Sequence, residues 1–335
     1  VKRILTICLI ATSILTGGCK KDRTAESPDT NAPDETLPEW VNYNTSNSTL
    51  PNNQINAIAI DRNDVKWIGT ANGLVCIKGK NLTVYNTANS SLPSSFIQAL
   101  AVESDGTVWI GTDKGLAKLK GTAWNVYTTK NSVLTSNGIK CIAYDSKNKI
   151  TWVGTEEDLV KVNSSDNFEY IVEAKVIQSM AVDHDGALWM GVFNDFAFIG
   201  LIKKYNNGQW TSYRLDQMGY TSALPYGMAI DKNNHVVALP AGTVAKTVIR
   251  FDGTTWAEVP RPNDARGLKA IAIEDDKIWV GGSTFSQFGE KDLPVIKLPD
   301  TDSPILSMAV DSKGRKWLGT YYGGVFAYNS NIKKQ

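Results

Sequence analysis

Residues 92–116 read LPSSFIQALAVESDGTVWIGTDKGL, and the fold follows from how this stretch alternates and repeats. From Ile97 to Val102 small and bulky side chains take turns, which marks a strand, because successive side chains leave a strand on opposite faces. Asp105 and Gly106 then supply hairpin-turn chemistry. A second apolar run ends in Trp109, Ile110, Gly111 and Thr112, and a third strand starts at Gly115-Leu116.

The first of these strands recurs along the chain. IQALAVE from Ile97 aligns without a gap with INAIAID from Ile55, IKCIAYD from Ile139, IQSMAVD from Ile177, PYGMAID from Pro225, LKAIAIE from Leu268 and ILSMAVD from Ile305. The shared alanine (Ala59, Ala101, Ala143, Ala181, Ala229, Ala272, Ala309) returns every 37 to 48 residues, the period of a four-stranded propeller blade. Two residues earlier stand Ala57, Ala99, Cys141, Ser179, Gly227, Ala270 and Ser307, all small, while the opposite face is bulky. One slim and one thick face suit the innermost strand of a blade, where sheets converge on an axis. The fold expected is therefore all-β, a seven-bladed β-propeller spanning residues 38–335.

Second strands follow as WIGT at Trp67 and Trp109, WVGT at Trp152, WMG at Trp189, WVGG at Trp279 and WLGT at Trp317; the fifth repeat has Val236, Val237 and Leu239 instead. Fourth strands carry aromatic pairs such as Trp124 with Tyr127 and Trp210 with Tyr213, and these Trp residues are read as core. Trp40 and Tyr43 copy that fourth-strand pattern ahead of the first repeat, and the seventh repeat ends near Tyr328 one strand short. The N-terminal strand is thus expected to close the last blade and remove the open sheet edges. Between Trp279 and Ile305 only one further strand is evident, around residues 295–298, so blade six is expected to have three or four strands.

Ahead of the repeats, Lys2 and Arg3 precede an apolar run, Ile4 to Leu15, too short for the roughly 20 residues of a membrane span and suited to a signal peptide. It ends in Leu15-Thr16-Gly17-Gly18-Cys19, which resembles a lipobox, although lipoboxes usually carry Leu where Thr16 stands. Residues 1–19 are therefore read as a lipoprotein signal peptide ending at Cys19, the expected lipidation site. Residues 20–37 are polar and contain proline, a composition that cannot offset its own ordering entropy, and are read as a flexible tether. A lipid anchor on Cys19 would be the sole membrane contact, and the bacterial cell envelope, at the outer membrane on its periplasmic or surface side, the location. Cys76 and Cys141 fall in different repeats and are expected to stay unpaired.

Charge is balanced, with 35 basic against 34 acidic residues, so no electrostatic footprint for nucleic acid is present. His184 and His235 are the two histidines. His184 is read as a turn residue and His235 as a strand residue, with no metal site and no cofactor expected.

The pattern LP-x-x-x-I-x-A-I-A-x-D-x-x-G-x-x-W-I-G-T-x-x-G-L, nearly whole from Leu92 to Leu116, resembles the two-component regulator propeller repeat. That resemblance implies a sensor-like or binding propeller of a bacterial envelope. The repeat is also similar to that of virginiamycin B lyase-like propellers, whose chemistry uses a metal and a histidine base; two histidines are too few to map those roles, and no WFTE occurs.

A ligand site is expected on the face built by loops before the first strand and after the second, where the repeats differ most. Its candidates are Phe193, Asp195 and Phe196 in repeat four, Phe285, Gln287 and Phe288 in repeat six, and Tyr321 and Tyr322 in repeat seven. Tyr226 and Arg266 join them at the starts of first strands. Aromatics with a few polar groups suit stacking on a sugar or gripping a peptide. The leading reading is a monomeric, membrane-tethered, non-enzymatic binding or interaction propeller whose partner is a glycan or an envelope protein; the alternatives are a propeller lyase and a ligand-free scaffold.

Overall fold

The computed structural model describes residues 38–173, 177–194, 199–221, 223–241, 247–263, 265–290, 293–299 and 301–330. The leader, Cys19 and the tether lie outside the described residues. Within them stand seven four-stranded antiparallel sheets, with one short 3-10 turn at Asp216–Met218. Six sheets run in chain order from innermost to outermost strand, the first being Ile55–Ile60, Lys66–Thr70, Gly73–Lys78 and Asn81–Tyr85. Each innermost strand touches the next, and the seventh returns to the first, so the seven-bladed propeller is closed. No helix among the described residues is long and apolar enough to cross a membrane.

Closure is made as the sequence anticipates. In the last sheet Trp40–Tyr43 pairs with Val325–Tyr328, Trp40 opposite Tyr328 and Tyr43 opposite Val325. Trp40 also packs edge-on against Phe326, at 6.2 Å between centroids, and against Phe285 of blade six at 6.3 Å. Blade six has four strands, because Phe285–Phe288 forms a third strand and Val295–Ile296 a fourth. The sequence reading treats Phe285, Gln287 and Phe288 as loop residues; the structure places them in that third strand. Phe285 and Phe288 are fully buried, Phe285 stacked on Trp279 at 5.3 Å. The alternation Phe-Ser-Gln-Phe hides this strand from a reading that looks for aliphatic runs.

The repeated Ile and Gly explain each other. Ile55, Ile97, Ile139, Ile177 and Ile305 begin innermost strands and are buried to 2% exposure or less. Each presses on the glycine of the Trp-x-Gly strand in the preceding blade. A Cβ on Gly69 would lie 2.6 Å from Ile97 Cγ2, one on Gly111 2.6 Å from Ile139 Cγ2, one on Gly281 2.6 Å from Ile305 Cγ2, and one on Gly319 2.5 Å from Ile55 Cγ2. Normal carbon–carbon contact is about 3.5–4.0 Å, so only glycine lets the blades converge this far. Burial of each isoleucine contributes roughly 1.5–3 kcal/mol.

A bulge after the first residue of the innermost strand turns its carbonyl out of the blade's own ladder, at Ile55/Ala57, Ile97/Ala99, Ile139/Cys141, Ile177/Ser179, Pro225/Gly227 and Ile305/Ser307. Neighbouring blades use that carbonyl. Asn56 Nδ2 donates to Ile97 O at 2.8 Å, Ser179 Oγ to Pro225 O at 2.7 Å and Ser307 Oγ to Ile55 O at 3.3 Å, the last across the ring closure.

Farther out, tryptophans pin the turns that follow the innermost strands. Trp109 Nε1 donates to Glu103, Trp189 to Asp183, Trp279 to Glu274 and Trp317 to Asp311, at 2.6 to 3.0 Å. Both flanks of the closing blade carry an additional device. Lys316, buried, reaches back to Glu274 of blade six at 2.8 Å and lies 4.4 Å over the Trp279 ring. Lys66 of blade one reaches Asp311 of blade seven at 3.6 Å and lies 5.1 Å over Trp317. Cation–π contact and ion pairing act together there, on both sides of the one blade whose outermost strand is not continuous with the other three.

Candidate functional site

The small residues that mark the innermost strands all line one cavity on the propeller axis. Ala57, Ala99, Cys141, Ser179, Gly227, Ala270 and Ser307 contribute one each, and its volume is about 220 Å³. The residue following each adds an apolar ring, from Ile58 of blade one to Met308 of blade seven, with Met180 and Met228 between them. Gln98, Lys140, Lys269 and Leu306, each one position before a small residue, complete the lining towards the start of the strands. No acidic side chain lines this cavity.

That end of the channel is the loop face. Innermost strands start there, second strands end there, and the connecting loops before the first and after the second strand surround it. Lys140 is neutralised by Glu156 at 2.8 Å. Gln98 Oε1 is buried with no hydrogen-bond partner. Cys141 Sγ points to Ile177 O at 3.9 Å, and burial pushes its thiol up to about 12, so it is not a nucleophile at neutral pH.

The candidates named from sequence distribute as follows. Tyr226 is the third residue of the strand Leu224–Ile230 rather than ahead of it, and is 38% exposed. Arg266 lies exposed in the loop before blade six. Its backbone N donates to Thr284 Oγ1 at 2.8 Å, and that hydroxyl donates back to Arg266 O at 3.3 Å. This ties the loop before the first strand to the loop after the second. Gly282 completes that tie, since a Cβ there would collide with the Gly267 carbonyl. Tyr321 and Tyr322 occupy the loop after the second strand of blade seven, exposed at 40% and 70%, their rings in edge contact at 4.4 Å. The Tyr321 and Tyr322 backbone nitrogens donate to Pro304 O at 2.9 Å and Ser303 Oγ at 2.6 Å, so the pair is presented on a braced loop.

Phe193, read from sequence as a loop residue, lies within the second strand of blade four, Leu188–Asn194, opposite Gly200. Asp195 and Phe196 fall outside the described residues. Gln287 is half-buried opposite Trp279 in the third strand of blade six. Tyr226, Arg266, Tyr321 and Tyr322 therefore share the loop face over three successive blades, five to seven, whereas Phe285 and Phe288 belong to the core beneath it.

The sequence reading missed Gln98, Lys140 and Lys269. The available signal is the position between the first residue and the small residue of each innermost strand: Asn56, Gln98, Lys140, Gln178, Tyr226, Lys269 and Leu306. Six of these seven are polar or amphipathic on a face otherwise read as core.

Both histidines lie at the other end of the molecule. His184 sits in the turn after the innermost strand of blade four, its backbone N bonded to Asn234 Oδ1 at 2.7 Å. His235 follows the corresponding turn of blade five, its Nδ1 3.0 Å from Asp231 Oδ2. Among the described residues no group of three His, Cys, Asp or Glu side chains is placed to hold a metal ion.

Fold and face define the class: a closed seven-bladed β-propeller with an open axial mouth ringed by variable loops. More particularly, residues 91–114 match the two-component regulator propeller family, so the chain carries that repeat. No curated protein sequence matches it. Among solved structures it is similar to a streptogramin B lyase, with 15% identity over 87% of this chain and 97% of that one at a TM-score of 0.72. It is also similar to the extracellular domain of the hybrid two-component system BT3049 from B. thetaiotaomicron, with 18% identity over 88% of this chain and 41% of that one at 0.69. A third is YCF48 bound to D1 peptide, with 12% identity over 90% and 99% at 0.66. At these identities the likeness is one of fold.

Proposed function

We propose that this protein is a non-catalytic binding propeller of the bacterial envelope that holds its ligand on the loop face, over blades five to seven. The observation that carries this reading is the display of Tyr226 on a strand and of Tyr321 and Tyr322 on a loop braced by backbone hydrogen bonds, all in the open on the face that also carries Arg266. Exposed aromatics on rigid supports give large contact area at low ordering cost. The envelope assignment draws support from the extracellular propeller of BT3049 and from the leader and Cys19. A peptide-bound propeller of the same fold, YCF48, supports a binding role. Lyase-type chemistry is disfavoured because His184 and His235 both sit at the opposite end from the loop face.

The test is a binding screen of the purified protein against envelope glycans and envelope proteins, each hit repeated with Tyr226→Ala and Tyr322→Ala together. Loss of roughly tenfold or more in affinity is expected for side chains of this kind at the centre of a site. Undiminished binding would move the site off this face, and chemical turnover of a hit would remove the non-catalytic reading. The anchor is tested separately: Cys19→Ser should move the protein from the membrane fraction to the soluble fraction.

A further inference from the structure

We infer that the axial cavity accepts an aliphatic group bearing a carboxylate, and that the free C-terminus of a peptide ending in an aliphatic residue is the form it is built for. This rests on the proposal that the loop face is a binding face, and adds the chemistry of what enters it. Four observations carry it.

The cavity, at about 220 Å³, is smaller than the roughly 300–1,000 Å³ that enclose a drug-sized ligand, so it admits one side chain or the tip of a tail. Its wall is an apolar ring with Met180, Met228 and Met308, and methionine adapts to aliphatic shapes without a fixed template.

No carboxylate lines the cavity, and the charged side chains that do are both lysines. Lys140 is spent on Glu156, but Lys269 lines the cavity with no carboxylate partner among the described residues. Arg266, three residues before it in the loop that leads into the innermost strand, is exposed, and its guanidinium has no hydrogen bond or ion pair among the described residues. A carboxylate is the anion that one lysine and one arginine fork can satisfy together.

The acceptor Gln98 Oε1 has no donor. With nothing holding its oxygen end, the amide can turn towards the entrance and accept the N–H of a C-terminal residue, a group that a simple fatty acid lacks.

The experiment uses the protein's five methionines, labelled with ¹³C at the methyl group. Met180, Met228 and Met308 line the cavity, whereas Met190 is fully buried within blade four and Met218 ends the 3-10 turn Asp216–Met218. Titration with acetyl-Ala-Ala-Leu should shift the three cavity methyls and leave Met190 and Met218 unmoved. The C-terminal amide of the same peptide, and acetyl-Ala-Ala-Lys, should bind about tenfold more weakly or worse, and Lys269→Gln should weaken the free-acid peptide about fivefold or more. Equal binding of acid and amide, or shifts confined to Met190 and Met218, would overturn the assignment. Hexanoate binding as tightly as the peptide would uphold the carboxylate and overturn the peptide form with its Gln98 contact. If no carboxylate moves the cavity methyls while a ligand from the envelope screen binds and depends on Tyr226 and Tyr322, this inference falls and the loop-face proposal stands. If neither occurs, both fall.

Discussion

Replacing Gly111 with alanine puts the packing of the ring to a quantitative test. The new methyl carbon would stand 2.6 Å from Ile139 Cγ2, 3.0 Å from Ile139 Cβ and 3.2 Å from Ala99 Cβ. Normal contact begins near 3.5 Å, so blades two and three would have to part by about 1 Å. Ile139 cannot step aside, being fully buried with Trp109, Leu116, Leu134 and Val153 around it. Nor can the ring widen freely, because the same Gly–Ile contact recurs at Gly69/Ile97, Gly281/Ile305 and Gly319/Ile55. Overpacking of this kind costs about 1–3 kcal/mol. Ile139→Ala should cost about 2–5 kcal/mol through the cavity it leaves.

The pair of changes separates this mechanism from a general intolerance of alanine in a strand. In Gly111→Ala with Ile139→Ala the added methyl enters the space that Cγ2 vacates, so the combined loss should fall short of the sum by about 1 kcal/mol or more. Guanidinium unfolding followed by tryptophan fluorescence gives the midpoints and slopes needed. A Gly111→Ala protein within about 0.5 kcal/mol of wild type, or strictly additive losses, would refute the idea that glycine is there to admit the next blade's isoleucine.

Three further outcomes follow from the same geometry. Deleting residues 38–44 removes the strand paired with Val325–Tyr328 and bares a sheet edge; aggregation on size exclusion is expected, with recovery on adding a 38–46 peptide, and a stable truncated monomer would disprove closure by the N-terminal strand. Lys316 sits below its ordinary 10.5 chiefly because burial disfavours its charge, with Glu274 opposing, and Lys66 is lowered by burial in the same way against Asp311 and Asp64. In the window just beneath 10.5 the unfolded chain holds the extra protons, so these groups make stability rise with pH; Lys66→Met with Lys316→Met should flatten that slope in denaturant midpoints measured from pH 8 to 10.5, and an unchanged slope would reject the assignment. Cys141, held up to about 12 by burial, should react with iodoacetamide at about pH 8 far more slowly in the native protein than after denaturation; comparable rates would show that its thiol is open to solvent.

What could be read in advance was whatever the ring repeats. Seven copies of one strand fix blade number and axis position, since every copy answers the same steric demand, and Trp40 with Tyr43 betrays the closing strand because it keeps the outer-strand pattern out of turn. Blade six resisted because its third strand, Phe285–Phe288, is built from aromatics with polar residues between them and pairs with only two residues outside it, Val295 and Ile296. Exposed aromatic loops and buried aromatic strands look alike in one dimension, so sequence pattern alone groups Phe285 and Phe288 with Tyr321 and Tyr322, although one pair is core and the other surface. Lys269 is inconspicuous for the opposite reason: it stands inside a repeat that packing already explains.

That last position separates what the fold requires from what it leaves free. Along an innermost strand the first residue is buried, in every blade but the sixth against the preceding blade's glycine, the small residue admits convergence at the axis, and the bulky residue after it fills the ring. The position between the first and the small residue meets none of these demands, and it reads Asn, Gln, Lys, Gln, Tyr, Lys and Leu around the seven blades. Outside blade one, where Asn56 bonds the next blade's Ile97 carbonyl, chemistry can be changed there without disturbing closure. Lys269→Gln should therefore leave stability within about 0.5 kcal/mol of wild type while weakening the carboxylate probe. A loss of about 2 kcal/mol or more in the same denaturant assay would make Lys269 part of the scaffold, and the cation at the channel entrance would then be explained by folding rather than by a ligand.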